Sequence, residues 1–183
     1  MKTPNLLAVI VILLITLLAC NNQVEPKDLY NYKIESRIDS LGIKLSSPSP
    51  PVANYVNVVQ TGKLLFLAGK GPKDDASNNI VGRLGDDMTV EEGYQAARRI
   101  GIAQLSVLKT HLGNLNRVKR IVKVNGMVKC TEDFTKQSLV INGYSDLMVE
   151  VFGSNGKHAR AAVGMNALPG GICAEIEMVV EIE

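Results

Sequence analysis

The sequence predicts an α+β domain in which two helices pack on one face of a sheet of about six strands, in the order βββ-α-β-α-ββ. Two observations carry this prediction. Apolar residues recur at spacings of three and four in two long segments, as in amphipathic helices, and short apolar runs bounded by glycine and proline surround them. The chain of 183 residues is 46% apolar, so it is long enough and apolar enough to bury a core.

The first three predicted strands are short. Apolar runs at 56–60 and 64–68 flank a Thr-Gly-Lys sequence, which is typical of an antiparallel hairpin. Glycines and a proline end the second run. A third apolar run at 80–84 follows a polar loop and predicts one more strand of the sheet.

Both helices follow from apolar periodicity and from signals at their ends. The first begins at Thr89, which forms a capping box with Glu92, and it ends at Gly113. The second covers about 136–152 and is followed directly by a glycine. Between the helices, residues 118–129 are rich in valine with lysines interleaved, which predicts a strand.

The last two predicted strands are 158–165 and 172–182. They are joined by Leu168-Pro169-Gly170-Gly171, a strong turn signal, and are therefore predicted to form a hairpin. With them the sheet reaches about six strands, and the chain shows no internal repeat.

Composition excludes several classes of function. The net charge of +2 argues against a dedicated nucleic-acid binder, which normally carries a clear basic excess. The 2 histidines show no spacing typical of a metal site, and no glycine-rich phosphate loop is present. We therefore expect neither a metal nor a cofactor. The 3 cysteines are too few for a disulfide scaffold.

The first 20 residues read as an export signal. Lys2 is followed by the apolar run 6–18, whose 13 residues would span about 20 Å as a helix, against about 30 Å for a bilayer core. The run ends in Leu17-Leu18-Ala19-Cys20, which resembles the lipobox of bacterial lipoproteins. We expect a signal peptide over 1–19 and lipidation of Cys20. The alternative is an ordinary signal peptide or short anchor in which this cysteine is incidental.

Lipidation predicts an exported protein held on a membrane through Cys20. Asn21 follows the cysteine, where an aspartate favours the inner membrane, so the resemblance implies the outer membrane, facing the periplasm or the surface. Residues 20–47 are mostly polar and predict a tether, although their few apolar residues leave a short amphipathic helix open. The folded domain is predicted to cover 48–183.

The last quarter of the chain carries a signature. It consists of His158-Ala159-Arg160-Ala161-Ala162-Val163, Leu168-Pro169 and Ala174-Glu175-Ile176-Glu177. With Tyr55, Gly62, Leu67-Ala68-Gly69 and Pro72 upstream, it closely resembles the RidA family, the YjgF-like reactive intermediate deaminases, over nearly all of 50–183. The resemblance implies a chorismate-mutase-like fold and a homotrimer with clefts between its subunits.

The resemblance also implies an activity, the hydrolysis of enamines and imines to 2-keto acids and ammonia without a cofactor. Arg160 matches the arginine that binds the substrate carboxylate, and Glu175 matches the acid that positions the hydrolytic water. Tyr55 and the backbone of Ala68 and Gly69 match groups that line the pocket. Each of the three side chains also has a purely structural interpretation: a surface salt bridge for the arginine, a solvated strand position for the glutamate and packing for the tyrosine.

Some residues depart from the family pattern. Ala162 stands where the deaminases commonly carry a cysteine, and Ser145 lies near the position of an asparagine. The second-helix sequence resembles a less-characterised RidA-like subgroup. Two other functions therefore stay open: binding of small carboxylates without turnover by a trimer, and RNA cleavage. His158 beside Arg160 is interpreted as an inert strand histidine.

The resemblance places the strands of Cys130 and Cys173 side by side and antiparallel. We expect two unpaired buried thiols, and a disulfide is the alternative outside the cytoplasm.

Overall fold

The computed structural model describes residues 29–183. The strands are β1 (Val58–Thr61), β2 (Leu64–Lys70), β3 (Val118–Lys129), β4 (Ala159–Met165) and β5 (Ala174–Ile182). The helices are α1 (Ile34–Ser40), α2 (Val90–Leu112) and α3 (Gln137–Phe152). The predicted signal peptide 1–19, Cys20 and the first part of the predicted tether lie outside the described residues.

The five strands form one mixed sheet in the order β1-β2-β5-β3-β4. All neighbours are antiparallel except β3 and β4, which run parallel. Helices α2 and α3 cover one face, where buried apolar residues of the strands meet those of the helices. The other face carries no helix of the described chain, so the predicted α+β class with helices on one face is confirmed.

Local signals in the sequence are confirmed at the start of α2. The Thr89 hydroxyl accepts a hydrogen bond from the Glu92 backbone N–H, and the Glu92 carboxylate accepts one from the Thr89 backbone N–H. Gly113 ends the helix with a φ of 73°, a conformation that glycine adopts without steric cost. The β1–β2 hairpin is confirmed too.

The predicted third strand at 80–84 does not join the sheet, which therefore has five strands rather than six. Its residues pair with two different segments. The Ile80 carbonyl accepts from the Cys173 N–H, whereas the Leu84 N–H donates to the Lys129 carbonyl. Because the run is divided between two partners, no continuous ladder forms.

The predicted hairpin between the last two strands is also wrong. β3 lies between β4 and β5, and the turn around Pro169 is part of a crossover. The reason lies in the whole sheet: β5 pairs on one side with β2 and on the other with β3, so neither of its edges is free for β4.

Residues 29–47 were predicted as part of a polar tether, yet they pack on the domain. Ile34 and Ile38 of α1 are buried in the core, and the Tyr30 hydroxyl donates to the Val118 carbonyl at 2.6 Å. Ile43 is buried as well. The apolar residues of this segment thus cover one end of the core, and the folded unit begins well before residue 48.

Cys130 and Cys173 are buried free thiols. They flank the paired ends of β3 and β5, where the Lys129 N–H donates to the Cys173 carbonyl. Burial raises the pKa of the Cys173 thiol to about 11, which keeps it protonated and unreactive near neutral pH. Along residues 29–183, none of the helices is long and apolar enough to span a bilayer.

Candidate functional site

Arg160 lies on the edge strand β4 and reaches towards helix α3. It is paired with Val124 of β3, whose side chain is buried on the helix-covered face. The Arg160 Nη1 donates to the Asn142 Oδ1 and to the Ser145 Oγ, both at 2.9 Å. These two partners are three residues apart on α3 and so share one face of the helix. The strand and the helix together hold the guanidinium in one orientation.

The charge of Arg160 has no carboxylate partner in the part of the chain that the structure describes. Its Nε makes no hydrogen bond there, and its Nη2 makes only a long contact of 3.5 Å with the Ser138 carbonyl. The Nε–Nη2 edge of the guanidinium is therefore open. This edge fits the two oxygens of a carboxylate, and a partly buried cation without a counter-ion favours an anionic ligand.

Ser145 joins this arginine to His158, which directly precedes β4. The Ser145 Oγ lies 3.1 Å from the His158 Nε2, and the His158 Nδ1 lies 2.7 Å from the Gly156 carbonyl oxygen. Burial lowers the pKa of His158, the hydrogen bond to Gly156 raises it, and the Arg160 charge lowers it. The net effect keeps the ring neutral near pH 7. The sequence did not predict this pair, since it placed Ser145 only near the position of a family asparagine and His158 was interpreted as an inert strand histidine.

Glu175 lies on β5, and its carboxylate packs against the α-carbon of Gly69 on β2. A side chain at position 69 would collide with the Glu175 Oε1. Burial raises the pKa of Glu175, and the negative charge of Glu177 raises it further. A carboxyl group with a raised pKa exchanges protons more readily near neutral pH, which suits a general acid or base.

A β-bulge brings Gly69 under Glu175. Leu67 pairs with Met178 and Lys70 with Ile176, so three steps on β2 oppose two on β5. The extra residue changes the direction of the backbone at Ala68 and Gly69 and leaves carbonyl groups without ladder partners.

Gln104 of α2 satisfies those carbonyl groups. Its Nε2 donates to the Ile176 carbonyl at 2.7 Å and to the Ala68 carbonyl at 3.4 Å. Its Oε1 accepts from the Tyr144 hydroxyl. Gln104 is fully buried, and the sequence analysis missed it; a lone glutamine inside the apolar stripe of α2 was the available signal.

The structure does not bring Arg160 and Glu175 together within one chain. Arg160, Val124 and Met178 are cross-strand neighbours and face the helices. Glu175 is three residues before Met178 on a regular strand, so its side chain faces the opposite side. On that face, which carries no helix, Glu175 is the cross-strand neighbour of Met127 of β3, and Met127 is in turn the neighbour of a residue of β4.

The remaining predicted positions are accessible or structural. Tyr55 precedes β1, is 46% exposed, and its hydroxyl makes no hydrogen bond to the described residues. Ala162 packs against the core on the helix side, two residues after Arg160 on β4. No cluster of three or more metal-ligating side chains occurs within residues 29–183.

The face of the sheet without helices exposes large apolar side chains. Val59 and Phe66 are cross-strand partners at one end, and Val163 and Met165 lie at the other. Their exposed fractions are 56%, 44%, 42% and 37%. Such a patch on a sheet is typical of a contact surface between proteins.

Comparison with known proteins links this arrangement to one family. The sequence model of a family described as "YjgF/chorismate mutase-like, putative endoribonuclease" matches residues 35–179. The match begins within α1, in agreement with the packing of this helix on the domain.

Individual relatives match a similar share of the chain. Protein TCP17 of Trypanosoma cruzi is 42% identical over 151 residues, which are 82% of this chain and 94% of that protein. The structure of Atu1372 from Agrobacterium tumefaciens, a protein of unknown function, is 38% identical with a TM-score of 0.75, covering 82% of this chain and 94% of its own. A structure from Shewanella oneidensis MR-1, 28% identical, has a TM-score of 0.79 over 82% of this chain and 100% of its own.

Proposed function

The chain belongs to the YjgF/RidA-like family, and on that premise we propose that it hydrolyses small 2-imino acids to 2-keto acids and ammonia in a cleft between two copies of the chain. Water adds to the C=N carbon, the nitrogen accepts protons, and ammonia leaves as the C=O bond forms. The imine nitrogen carries one proton, and the two further protons that it needs to leave as ammonia come from the added water. The reaction therefore needs no redox partner.

The open edge of Arg160 is the observation that carries this proposal. A 2-imino acid has a planar carboxylate next to its electrophilic carbon, and the Nε–Nη2 edge binds such a group through two parallel hydrogen bonds. Binding of the carboxylate by Arg160 fixes the position of the neighbouring electrophilic carbon relative to the other groups of the cleft. Positioning of this kind supplies much of the rate enhancement for an electrophile that already reacts with water.

Glu175 is the proposed acid–base group. Its raised pKa favours the exchange of a proton with the attacking water and the departing nitrogen. The bulge at Gly69 leaves space for the carboxylate, and the backbone of Ala68 and Gly69 lines the same place. Tyr55, exposed before β1, is available to cover a ligand there.

Two copies are needed because Arg160 and Glu175 face opposite sides of one sheet. The helix-free face with exposed Val59, Phe66, Val163 and Met165 is the proposed contact surface, and the edge strand β4 of a neighbouring copy, which carries Arg160, is proposed to dock against it. In a cyclic assembly, one copy contributes Arg160 and its neighbour contributes Glu175. We propose a homotrimer, the assembly that the family resemblance implies.

A second function, binding without turnover, is favoured by one observation. Helix α3 orients Arg160 without any contribution from Glu175. Binding of a carboxylate therefore needs Arg160 but not Glu175. Release of ammonia from a freshly generated 2-imino acid distinguishes the two functions. Turnover that disappears in Glu175→Gln while a 2-keto acid still binds supports the enzyme; absence of turnover by the unmodified chain supports the binder.

RNA cleavage is less well supported. The basic cluster at 117–120 is the most positive segment near the sheet, but Lys119 is held by Glu181 at 2.7 Å. The net charge of +2 gives no strong attraction for a phosphate backbone.

We propose that the protein is exported and anchored through a lipid on Cys20, which leaves the domain outside the cytoplasm. Metabolic labelling with an alkyne fatty acid tests this in cells that express the full chain. Label on the unmodified chain and none on Cys20→Ser is expected. Equal labelling of both chains contradicts it.

A further inference from the structure

Ser145 has the surroundings of an activated nucleophile. Its Oγ lies between the His158 Nε2 at 3.1 Å and the Arg160 Nη1 at 2.9 Å. A serine hydroxyl paired with a histidine that is oriented by a third group is the arrangement that activates serine for attack on an acyl carbon. The proposed imine hydrolysis uses neither Ser145 nor His158.

The direction of each hydrogen bond follows from the partners. The Gly156 carbonyl can only accept, so the His158 Nδ1 carries the proton. In the neutral ring the Nε2 is then an acceptor, and the Ser145 hydroxyl donates to it. Arg160 can only donate, so its Nη1–H points at the Ser145 oxygen. The serine proton is thus directed at a base and its oxygen at a cation.

One hydrogen-bond donor beside Ser145 remains free within the described chain. The Asn142 Oδ1 accepts from Arg160, which turns the Asn142 Nδ2 away from that bond, and the structure gives the Nδ2 no acceptor. The Nε–Nη2 edge of Arg160 is left for the carboxylate of the ligand. A donor at the position of the Asn142 Nδ2 can stabilise negative charge that develops on an acyl oxygen.

The cluster is accessible to a ligand. Asn142, Ser145, His158 and Arg160 are each partly exposed, and they lie where α3 meets the edge strand β4. A carboxylate bound by Arg160 would hold the rest of a small molecule close to Ser145.

We propose that Ser145, His158 and Arg160 form a second catalytic group that cleaves short esters bearing a free carboxylate. The Ser145 oxygen attacks the ester carbonyl while its proton moves to the His158 Nε2. That proton then passes to the leaving alcohol as the C–O bond breaks, giving an acyl-serine. Water attacks the acyl-serine and gives a proton to His158, which passes it to the Ser145 oxygen as the acyl C–O bond breaks and the acid leaves.

Mono-4-nitrophenyl succinate is a suitable probe because it has one free carboxylate and a coloured leaving group. The unmodified full chain is expected to release nitrophenol faster than the uncatalysed reaction and to carry a succinyl group on Ser145, located by peptide mass spectrometry. Ser145→Ala is expected to lose the adduct, and His158→Gln is expected to slow its formation by about 100-fold. Ser154→Ala is the matched control, since Ser154 is an exposed serine nearby without a base partner, and it is expected to behave like the unmodified chain.

The neutral ester 4-nitrophenyl acetate tests the role of Arg160. The preference for the succinyl ester over the acetyl ester is expected to disappear in Arg160→Met. The proposal is overturned if the unmodified chain forms no adduct, or if the His158→Gln variant forms the adduct as fast as the unmodified chain does. Thermal unfolding of every variant identifies loss of fold as a separate cause. The adduct is measured without any imine, so its presence or absence is independent of the result for ammonia release.

Discussion

The carboxylate of Glu175 lies directly against the α-carbon of Gly69. Gly69 lies within the bulge of β2, and a β-carbon at this position would collide with the Glu175 Oε1. The bulge itself depends on Gln104, which satisfies the Ile176 and Ala68 carbonyls from α2. The placement of the proposed acid–base group is therefore fixed by residues on three different elements.

Gly69→Ala is expected to displace this carboxylate while the fold is retained, because the group displaced is the end of a flexible side chain. A displacement of about 1 Å can lower a rate by about 100-fold, and a loss of this order in ammonia release is expected. Glu175→Gln is expected to cause a similar loss, and the double variant no more than either one. Additive losses would contradict a shared cause.

Gln104→Leu is expected to lower the free energy of unfolding by about 1–3 kcal/mol, because it leaves the buried Ile176 carbonyl without this donor and the Tyr144 hydroxyl with only the weak acceptor Met178 Sδ. Urea unfolding followed by circular dichroism measures this. Ser106→Ala is the control, because that buried hydroxyl bonds only to the Ile102 carbonyl of its own helix. Equal effects of the two substitutions would remove the special role of Gln104.

Glu175→Gln is expected to stabilise the fold above the raised pKa of Glu175. The unfolded chain ionises this carboxyl at about pH 4.3, before the folded chain does, so the glutamate costs stability once the pH rises past that value. The gain from glutamine should disappear below about pH 4. Melting temperatures between pH 3 and pH 8 measure it.

Glu181→Gln is expected to change the stability of the fold in the opposite direction from Glu175→Gln. A hydrogen bond from Lys119 lowers the pKa of Glu181, so its charge adds stability above the ordinary carboxyl value and glutamine removes it. A gain of stability in both variants would mean that general charge repulsion, rather than the burial of Glu175, is responsible.

Ile34→Ala is expected to destabilise the domain by about 2–5 kcal/mol, because this side chain of α1 is fully buried and its loss leaves a cavity. Chemical unfolding measures the difference from Ser36→Ala, an exposed position on the same helix where little change is expected. No difference between the two would show that residues 29–47 act only as a tether in solution.

Arg160→Lys is expected to weaken the binding of a 2-keto acid roughly ten- to hundredfold, since lysine keeps the charge but loses the planar edge that binds two oxygens. Isothermal titration calorimetry measures the affinity. Arg99→Lys is the control, because Arg99 is paired with Asp75 on the surface. Unchanged affinity in Arg160→Lys would contradict binding of two carboxylate oxygens by the planar edge and would mean that Arg160 attracts the ligand only through its charge.

Local features were predictable from the sequence, and long-range ones were not. The capping box of Thr89 and Glu92 depends on four consecutive residues and forms as predicted. The insertion of β3 between β4 and β5 depends on the pairing of the whole sheet, so the glycine-rich turn was misread as a hairpin. The burial of Ile34 requires a surface formed by distant residues, which the short helix pattern alone does not reveal.

The candidate site shows the same division. The signature places Arg160 and Glu175 in the sequence, but their faces follow only from the register counted across β4, β3 and β5. Ser145 and His158 are 13 residues apart and meet because α3 packs beside the edge strand. The role of Gln104 was not predictable, because a single polar residue in the apolar stripe of a helix does not show which distant groups it will bind.

Active-site complementation tests most directly whether the site is built from two copies. Arg160→Met and Glu175→Gln chains carrying different tags are expressed together, and oligomers containing both tags are purified and assayed for ammonia release from a 2-imino acid. Each variant alone is expected to be inactive. In a cyclic trimer that contains both chains, one of the three interfaces joins an unmodified Arg160 to an unmodified Glu175, so about a third of the original activity is predicted for the purified mixed oligomers. Mixed oligomers as inactive as the single variants would contradict a site shared between neighbours.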